Sequence, residues 1–351
     1  MRSLISFLAL MLLMTACCED TSGPSNTDTG MDKIAYWNTE LEFDDLGVDE
    51  YVILGFNIDK AKVKMYKRDI PYLGYIGRTS EGGFFYRRGN DQEDSHFIMK
   101  YNPKTESNDT ITIQSGSSFN EILISPDETK IFYTTYDDQS YILNADGTNK
   151  QSIDVPEGMV YQFSPDASKI LISFINPDHH WALSVYDIAK GETTGLISTD
   201  EYSYGIMGEC VWDDNGEDIF FIHSDPGPKG GLSKVNIGTK EVTEIAEFDA
   251  QIVGEMSFNN IQFYNDQQKI FCYFNNTNKM ATINTDGTGL KVLDLPYIEY
   301  EFISDLFHSK NEIYLLSIQG QNADLVTYNL DTGESTVRIA NLLPKVLALY
   351  E

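Results

Sequence analysis

One phrase recurs along the chain and constrains its fold more than any other feature. It reads Ser-Pro-Asp, then a lysine and an isoleucine, then a short run of β-branched and aromatic residues. Clear copies occupy Ser125–Tyr133 and Ser164–Ile172, and weaker copies occupy Trp212–Phe221 and Tyr264–Phe271. Self-similarity at a period of about 40 residues is typical of propellers, solenoids and arrays.

Each repeat follows the same order of elements. A strand (A) leads into the Ser-Pro-Asp turn, and strand B carries the apolar run. A variable loop and strand C follow, and a tight turn then leads into strand D. Asn144–Thr148 and Asn284–Thr288 hold an Asp-Gly pair at this second turn, which is a strong hairpin signal. Ala189–Glu192 and Asp331–Glu334 take the same place in other repeats.

This order predicts an all-β protein, a six-bladed β-propeller of four-stranded antiparallel blades. Neighbouring blades must stack because a single blade cannot bury both of its faces. Aromatic residues of the B strands are expected to fill the space between blades: Phe132, Phe174, Phe220, Phe271 and Tyr314. The six predicted blades span about 72–114, 119–155, 160–198, 208–248, 258–295 and 303–340.

The predicted propeller domain covers residues 33–351, and its first part fits no blade. Tyr51–Ile58 and Val63–Tyr66 each have the composition of a strand. These strands supply either a closing strand for the ring or part of a seventh blade, and Leu342–Tyr350 is another candidate closing strand. Seven blades therefore remain the alternative to six.

The repeats resemble those of the TolB-type propeller, whose blades carry a Ser-Pro-Asp-Gly turn and an Asp-Gly turn. Glu128 and Ala167 stand where that family often has glycine. The resemblance covers about 270 residues and implies the fold. It does not choose a function, because such blades occur in envelope scaffolds, sensor modules, pectate-fragment lyases and prolyl peptidases.

The N-terminus has the pattern of an exported lipoprotein. Residues 1–16 hold one positive charge and an apolar run too short to span a bilayer permanently, as in a signal peptide. Met14-Thr15-Ala16-Cys17 resembles the bacterial lipobox, which implies cleavage before Cys17 and lipidation of its thiol. The alternative is an ordinary secretory signal that is cut nearby.

Residues 17–32 have the composition of a flexible tether. Acidic residues directly after the lipid cysteine resemble the surface-export signal of lipoproteins from the Bacteroidetes group. These features predict a protein of the bacterial cell envelope, lipid-anchored to the outer membrane, and either periplasmic or surface-exposed.

The composition limits the partners and the redox chemistry. A formal net charge of −29 disfavours nucleic acid, and it leaves the lipid anchor as the only predicted membrane contact. Cys210 and Cys272 lie in predicted strands of different repeats, and we expect two buried free thiols rather than a disulfide.

Candidate binding residues lie on the face that carries the B–C loops and the connections between blades. The turns of the opposite face are short and stereotyped, whereas variable loops on a rigid scaffold tend to carry function. Tyrosines with carboxylates suit a sugar or a peptide. The predicted ligand-binding residues are Trp181, Tyr202, Tyr204, Tyr297, Glu299 and Tyr300.

Four of the five histidines fall on the same face: His96, His179, His180 and His223. They are candidate ligands for a divalent metal, because imidazole is a common ligand of transition metals. The lyase branch of TolB-like propellers uses histidines around a metal, but its positions do not align residue by residue with this chain. No Gly-x-Ser-x-Gly motif is present, which disfavours a peptidase.

We therefore predict no catalytic residues and no cofactor, and a non-enzymatic scaffold that binds an envelope protein, a peptide or a glycan. The alternative is a metal-assisted polysaccharide lyase or hydrolase of the oligogalacturonate-lyase type.

Overall fold

The chain is a six-bladed β-propeller, as predicted from its repeats. The computed structural model describes residues 34–42, 49–57, 62–69, 73–90, 95–156, 160–175, 181–198, 206–224, 229–249, 252, 259–264, 268–274, 277, 279–294, 300–307, 311–319 and 322–341. They fall into two compact units, of which the first holds the described residues up to Ser118 and the second those from Phe119 onward.

The first unit begins with an antiparallel three-stranded sheet in the order β1-β2-β3. Its strands are β1 (Ile34–Glu42), β2 (Asp49–Asn57) and β3 (Lys62–Asp69). The two strands expected from the sequence in this region are present, and β1 precedes them. Among the described residues, its strands pair only with one another, so this three-stranded sheet is separate from the six four-stranded blades. Leu342–Tyr350 lies outside the described residues.

The remaining strands form six antiparallel sheets, and each sheet contains four strands that are consecutive in the chain. Blade 1 completes the first unit. Blade 1 consists of β4 (Leu73–Arg78), β5 (Phe84–Asn90), β6 (Ser95–Asn102) and β7 (Ser107–Ser115).

Blades 2 to 6 form the second unit. Blade 2 consists of β8 (Phe119–Ile124), β9 (Lys130–Thr135), β10 (Ser140–Asn144) and β11 (Gln151–Ile153). Blade 3 consists of β12 (Val160–Phe163), β13 (Lys169–Ile175), β14 (Trp181–Asp187) and β15 (Glu192–Ser198). Blade 4 consists of β16 (Ile206–Trp212), β17 (Asp218–Ser224), β18 (Lys229–Asn236) and β19 (Val242–Asp249). Blade 5 consists of β20 (Asn259–Tyr264), β21 (Lys269–Phe274), β22 (Lys279–Asn284) and β23 (Lys291–Asp294). Blade 6 consists of β24 (Tyr300–Phe307), β25 (Glu312–Gln319), β26 (Asn322–Asn329) and β27 (Ser335–Ile339).

Apolar side chains on both faces of the B strands join neighbouring blades of the second unit. Phe132 packs with residues of β12 and β13 between blades 2 and 3, and Phe220 packs with β20 and β21 between blades 4 and 5. Phe271 packs with Ile313 and Tyr328 between blades 5 and 6. These contacts confirm that B-strand aromatics fill the space between blades. Phe174 is half-buried against the same cluster as Phe132, and the side chain of Tyr314 lies outside the described residues.

The Ser-Pro-Asp turn is closed by its own side chains. In blade 3, the Ser164 hydroxyl donates to Asp166 Oδ1 at 2.6 Å and accepts the Lys169 N–H at 2.9 Å. Asp166 Oδ1 also accepts the N–H of Ser168 at 3.0 Å. Ala167 adopts a φ of 55°, in the left-handed region that favours glycine. The TolB-type repeats that this chain resembles often have glycine at this position.

Blade 2 repeats this turn almost atom for atom, which explains why the phrase recurs in the sequence. Ser125 donates to Asp127 at 2.6 Å and accepts from Lys130 at 2.8 Å, and Glu128 has a φ of 54°. In both blades, a serine and an aspartate two residues apart supply the side-chain hydrogen bonds of the turn between strands A and B.

The free energy of unfolding at acidic pH tests the role of the Asp166 carboxylate in this turn. Burial opposes ionisation of Asp166, but hydrogen bonds from Ser164 and Ser168 outweigh it, so the pKa of this carboxyl lies below 3.8. A lowered pKa stabilises the fold above pH 3.8, and this stabilisation is lost as the pH falls through the lowered value. Asp166→Asn should cost about 1 kcal/mol of unfolding free energy at neutral pH, since the carboxylate is partly exposed.

Urea denaturation at several pH values measures this cost, which should shrink as the pH falls below 3.8. Glu334→Gln, at an exposed position in another turn, is the control and should change stability little at any pH. A cost for Asp166→Asn that does not depend on pH would show that the ionised carboxylate does not hold the turn.

Cys210 and Cys272 are both free and buried, as expected from the sequence. They belong to different interblade clusters, Cys210 between blades 3 and 4 and Cys272 between blades 4 and 5. Burial raises the pKa of the Cys272 thiol well above its ordinary value, so this thiol stays protonated and unreactive at neutral pH.

Candidate binding face

The two ends of each blade differ in chemistry. Because the four strands are antiparallel and consecutive, the A–B and C–D turns lie at one end of a blade, which we call the turn end. The B–C loop and the connections to neighbouring blades lie at the other, which we call the loop end. Of the binding and metal-ligand residues predicted from the sequence, those that the structure describes lie at or near loop ends: Trp181, Tyr300, His96 and His223.

At the turn ends of blades 2 and 5, polar side chains form hydrogen bonds within their own C–D turn. In the C–D turn of blade 2, Asp146 Oδ1 accepts the N–H of Thr148 at 2.9 Å and its hydroxyl at 2.6 Å, while Gly147 has a φ of 85°. Asp286 and Thr288 make the same two bonds at the same distances in blade 5. These hydrogen bonds lower the pKa of both aspartates. Carboxylates engaged in this way stabilise the hairpin and are poorly placed to bind a ligand.

The loop end of blade 2 has a different character. Thr135 Oγ1 donates to Asp137 Oδ1 at 2.5 Å, and the Thr135 N–H donates to the Gln139 carbonyl at 3.0 Å. Asp138 takes the left-handed position with a φ of 60°. The segment therefore copies the Ser-Pro-Asp turn, with Tyr136 in the place of proline. Tyr136 is 61% exposed, so its ring lies in solvent. The hydrogen bonds of Thr135 hold the backbone on either side of it in a fixed turn.

Tyr136 was not among the predicted ligand-binding residues, although its loop was assigned to the correct face. The signal that identifies it is local, namely a threonine and an aspartate that flank the tyrosine as serine and aspartate flank proline in the repeats. Most of the predicted binding residues fall elsewhere in the chain. Tyr202, Tyr204, Tyr297 and Glu299 lie outside the described residues, and Trp181 and Tyr300 are described only as the first residues of β14 and β24.

His223 is a strand residue and not, as the sequence suggested, part of the variable loop. It pairs with Gly231 across β17 and β18, and it is only 5% exposed. Its Nε2 lies 3.1 Å from the Ser233 hydroxyl. A Cβ at position 231 would lie 2.6 Å from the same nitrogen and 3.1 Å from the Ala246 carbonyl oxygen, so a side chain there would displace the imidazole. His223 therefore packs within blade 4 instead of projecting from its loop end.

Of the other candidate metal ligands, His96 lies in the described part of the chain. His96 is half-buried in β6, also a strand residue, and it belongs to the first unit whereas His223 belongs to the second. His179 and His180 lie outside the described residues. Among the side chains that the structure describes, no three histidines, cysteines, aspartates or glutamates are placed to hold a metal ion together.

None of the described segments is a helix long and apolar enough to cross a membrane.

Comparison with known proteins supports the fold but assigns the chain to no family. No family model matches the chain, and no curated protein sequence matches it either. The chain is similar in structure to solved proteins, among them TolB from Acinetobacter baumannii. That structure is 15% identical with a TM-score of 0.50, and the match covers 75% of this chain and 63% of TolB. The resemblance to TolB-type propellers is thereby confirmed at the level of fold.

Two enzymes have the same fold. An oligogalacturonate lyase in complex with manganese is 11% identical with a TM-score of 0.57, and the match covers 88% of this chain and 86% of the lyase. A puromycin-hydrolysing peptidase of Mycobacterium tuberculosis is 11% identical with a TM-score of 0.60, and the match covers 87% of this chain but 52% of the peptidase. Identities this low establish a shared fold and leave the activity open.

Proposed function

We propose that this protein is a lipid-anchored β-propeller of the bacterial outer membrane that binds a protein, a peptide or a glycan through its loop ends, without catalysis. The observation that supports the proposal best is the contrast between the two ends of blade 2. At the turn end, Asp146 accepts hydrogen bonds from Thr148 within the hairpin. The loop end, whose Asp137 also closes its own turn, exposes the ring of Tyr136 to solvent.

A tyrosine in this setting is suited to recognition. Its ring offers contact area at a small entropic cost, and its hydroxyl adds a hydrogen bond. Asp138 follows in the same loop and is exposed, so the loop also offers a carboxylate to the hydroxyl or amide groups of a partner, whereas Asp137 accepts the Thr135 hydroxyl. We propose the same role for the predicted binding residues at other loop ends: Trp181, Tyr202, Tyr204, Tyr297, Glu299 and Tyr300.

A capture experiment tests this assignment. The purified chain, immobilised in detergent, is exposed to solubilised envelope proteins and to envelope glycans, and the dissociation constant of each captured partner is measured. Because a few aromatic residues dominate most interfaces, Tyr136→Ala, Tyr204→Ala or Tyr300→Ala should each weaken binding about tenfold or more.

Leu290→Ala is the matched control, because Leu290 is an exposed apolar residue beside the C–D turn of blade 5, at a turn end. It should leave the affinity unchanged. Binding that survives all three tyrosine changes but is lost in the control would place the interface at the turn ends.

We propose that Cys17 carries the anchor, on the basis of the Met14–Cys17 motif. Mass spectrometry of the processed chain should show a diacylated or triacylated N-terminal cysteine, and Cys17→Ser should abolish both the lipid and retention in the membrane fraction. An unmodified N-terminus at another residue would indicate an ordinary secretory signal.

A metal-assisted lyase is the second candidate, because the manganese-bound oligogalacturonate lyase is matched over most of both chains. Its candidate ligands remain His96, His179, His180 and His223. Metal analysis of protein purified without chelators separates the two functions. A bound equivalent of divalent metal that His179→Ala removes would support the lyase, whereas less than about a tenth of an equivalent would exclude it.

A further inference from the structure

Tyr136, at the loop end of blade 2, is the only exposed aromatic residue among those whose burial the structure describes. Within the described part of the chain, its side chain has no hydrogen bond, ring contact or cation next to it. An aromatic ring held in solvent on a fixed turn offers its face to a partner. The surroundings of this ring indicate the chemistry of that partner.

Two half-buried tyrosines show how this chain covers a ring near its surface. In the same blade, the Lys150 ammonium lies 4.3 Å from the ring centroid of Tyr141. In β3, the Lys64 ammonium lies 4.7 Å from the ring centroid of Tyr66. Both distances are within the range of a cation–π interaction, in which the ring quadrupole attracts positive charge. The ring of Tyr136 offers the same kind of face, but no described cation of the chain occupies it.

The charges of blade 2 favour a cation from another molecule. The loop end of this blade comprises the described residues 119–121, 134–140 and 153–156, which include four carboxylates and no lysine, arginine or histidine. Both lysines of the blade, Lys130 and Lys150, belong to its turn end. The described part of the chain therefore supplies no positive charge from this blade at the end where the ring is exposed.

Asp138 adds a second contact for such a cation. It is exposed, and among the described residues its carboxylate has no hydrogen-bond or ion-pair partner. It lies two positions after Tyr136 in the same turn, so the two Cα atoms are at most about 7.6 Å apart. The planar guanidinium of an arginine can stack on a ring while its N–H groups donate to a nearby carboxylate. The ammonium of a lysine cannot stack in this way.

We propose that the loop end of blade 2 binds an arginine side chain from a basic segment of a partner protein. The guanidinium lies over the Tyr136 ring and donates to the Asp138 carboxylate. This inference rests on the proposed function, because it specifies the partner chemistry for the same loop end. The formal net charge of −29 also speeds the encounter with a basic segment and disfavours acidic glycans.

Binding of a labelled peptide to the full-length chain in detergent tests the proposal. The probe is a short peptide of alternating glycine and arginine. Its matched control has citrulline, which is uncharged and of similar shape, in place of arginine. Fluorescence anisotropy at about 0.15 M salt, where the Debye length is about 8 Å, gives both dissociation constants. The citrulline peptide should bind at least about fivefold more weakly, because it loses both the cation–π contact and the ion pair.

Variants at exposed positions, which should fold normally, locate the site. Tyr136→Leu keeps an apolar side chain but loses the ring, and it should weaken binding of the arginine peptide about fivefold. Tyr136→Trp should strengthen binding about twofold, since tryptophan is the best ring for a cation. Asp138→Asn should weaken binding about threefold. Glu334→Gln removes the same charge at a turn end, that of blade 6, and should leave the affinity unchanged.

Equal affinity for the arginine and citrulline peptides would overturn the proposal. Equal weakening by Asp138→Asn and Glu334→Gln would also overturn it, because binding would then follow the net charge of the chain. Capture of an uncharged glycan that Tyr136→Ala weakens would support the proposed function and overturn this inference. Peptide binding that survives Tyr136→Leu, with partner capture lost in Tyr204→Ala, would likewise leave the binding face standing and exclude the arginine site on blade 2.

Discussion

Gly83→Ala should lower the free energy of unfolding by about 3 kcal/mol or more, measured by urea denaturation. A Cβ at this position would lie 2.2 Å from the backbone carbonyl oxygen of Tyr101, far inside van der Waals contact. The neighbour is backbone and cannot rotate away. Gly83 also closes the A–B turn of blade 1, since Thr79 bonds to both its N–H and its carbonyl at 2.9 Å. Any shift that relieves the clash therefore strains the turn.

Gly195→Ala is the matched control within a strand. The added Cβ would have only the Ser184 hydroxyl within reach, at 4.0 Å, and the site is exposed. Alanine also restricts the unfolded chain, so stability should be unchanged or should rise by up to about 1 kcal/mol. If the two variants were equally stable, the close approach of Gly83 to Tyr101 would be contradicted.

Phe220→Ala should cost about 3–5 kcal/mol of unfolding free energy, because it removes a buried ring between blades 4 and 5. The ring meets Phe263 of blade 5 edge to face, with centroids 5.1 Å apart and planes at 84°. A double-mutant cycle with Phe263→Ala should give a coupling energy of about 0.5–1.5 kcal/mol.

The control for this cycle is Ile113→Ala on the outer strand of blade 1. Ile113 is 54% exposed, so the change should cost less than about 0.5 kcal/mol. A cost for Phe220→Ala of similar size would mean that blades 4 and 5 are not held together by their B-strand aromatics. Coupling near zero would indicate that the two rings do not touch.

The features of this fold that the sequence predicts are those encoded within a few residues. The hydrogen bonds by which Ser164 and Asp166 close their turn join residues at most five positions apart, so a short phrase of sequence encodes them. The same holds for Asn284–Thr288. Repetition of such self-contained turns at a fixed period predicts the blade, and stacking follows from the apolar B strands.

Features that depend on pairing across strands were harder to predict. His223 was predicted in a loop because glycine and proline follow closely. Strand β17 instead continues to Ser224 and pairs His223 with Gly231, which leaves room for the imidazole. Strand β1 was not predicted, because residues 33–70 contain neither the Ser-Pro-Asp turn nor the Asp-Gly turn of the repeats. Its pairing with β2 across nine residues defines it instead.

Our expectation is that a partner binds at the loop ends of the blades and not at their turn ends. Photo-crosslinking in living cells tests it most directly, with a photoreactive amino acid at position 136 or at position 149. Both residues are exposed and belong to blade 2, Tyr136 at the loop end and Asn149 beside the C–D turn at the other. A discrete crosslinked partner is expected from position 136 and none from position 149. Crosslinks from position 149 alone, or the same products from both positions, would contradict it.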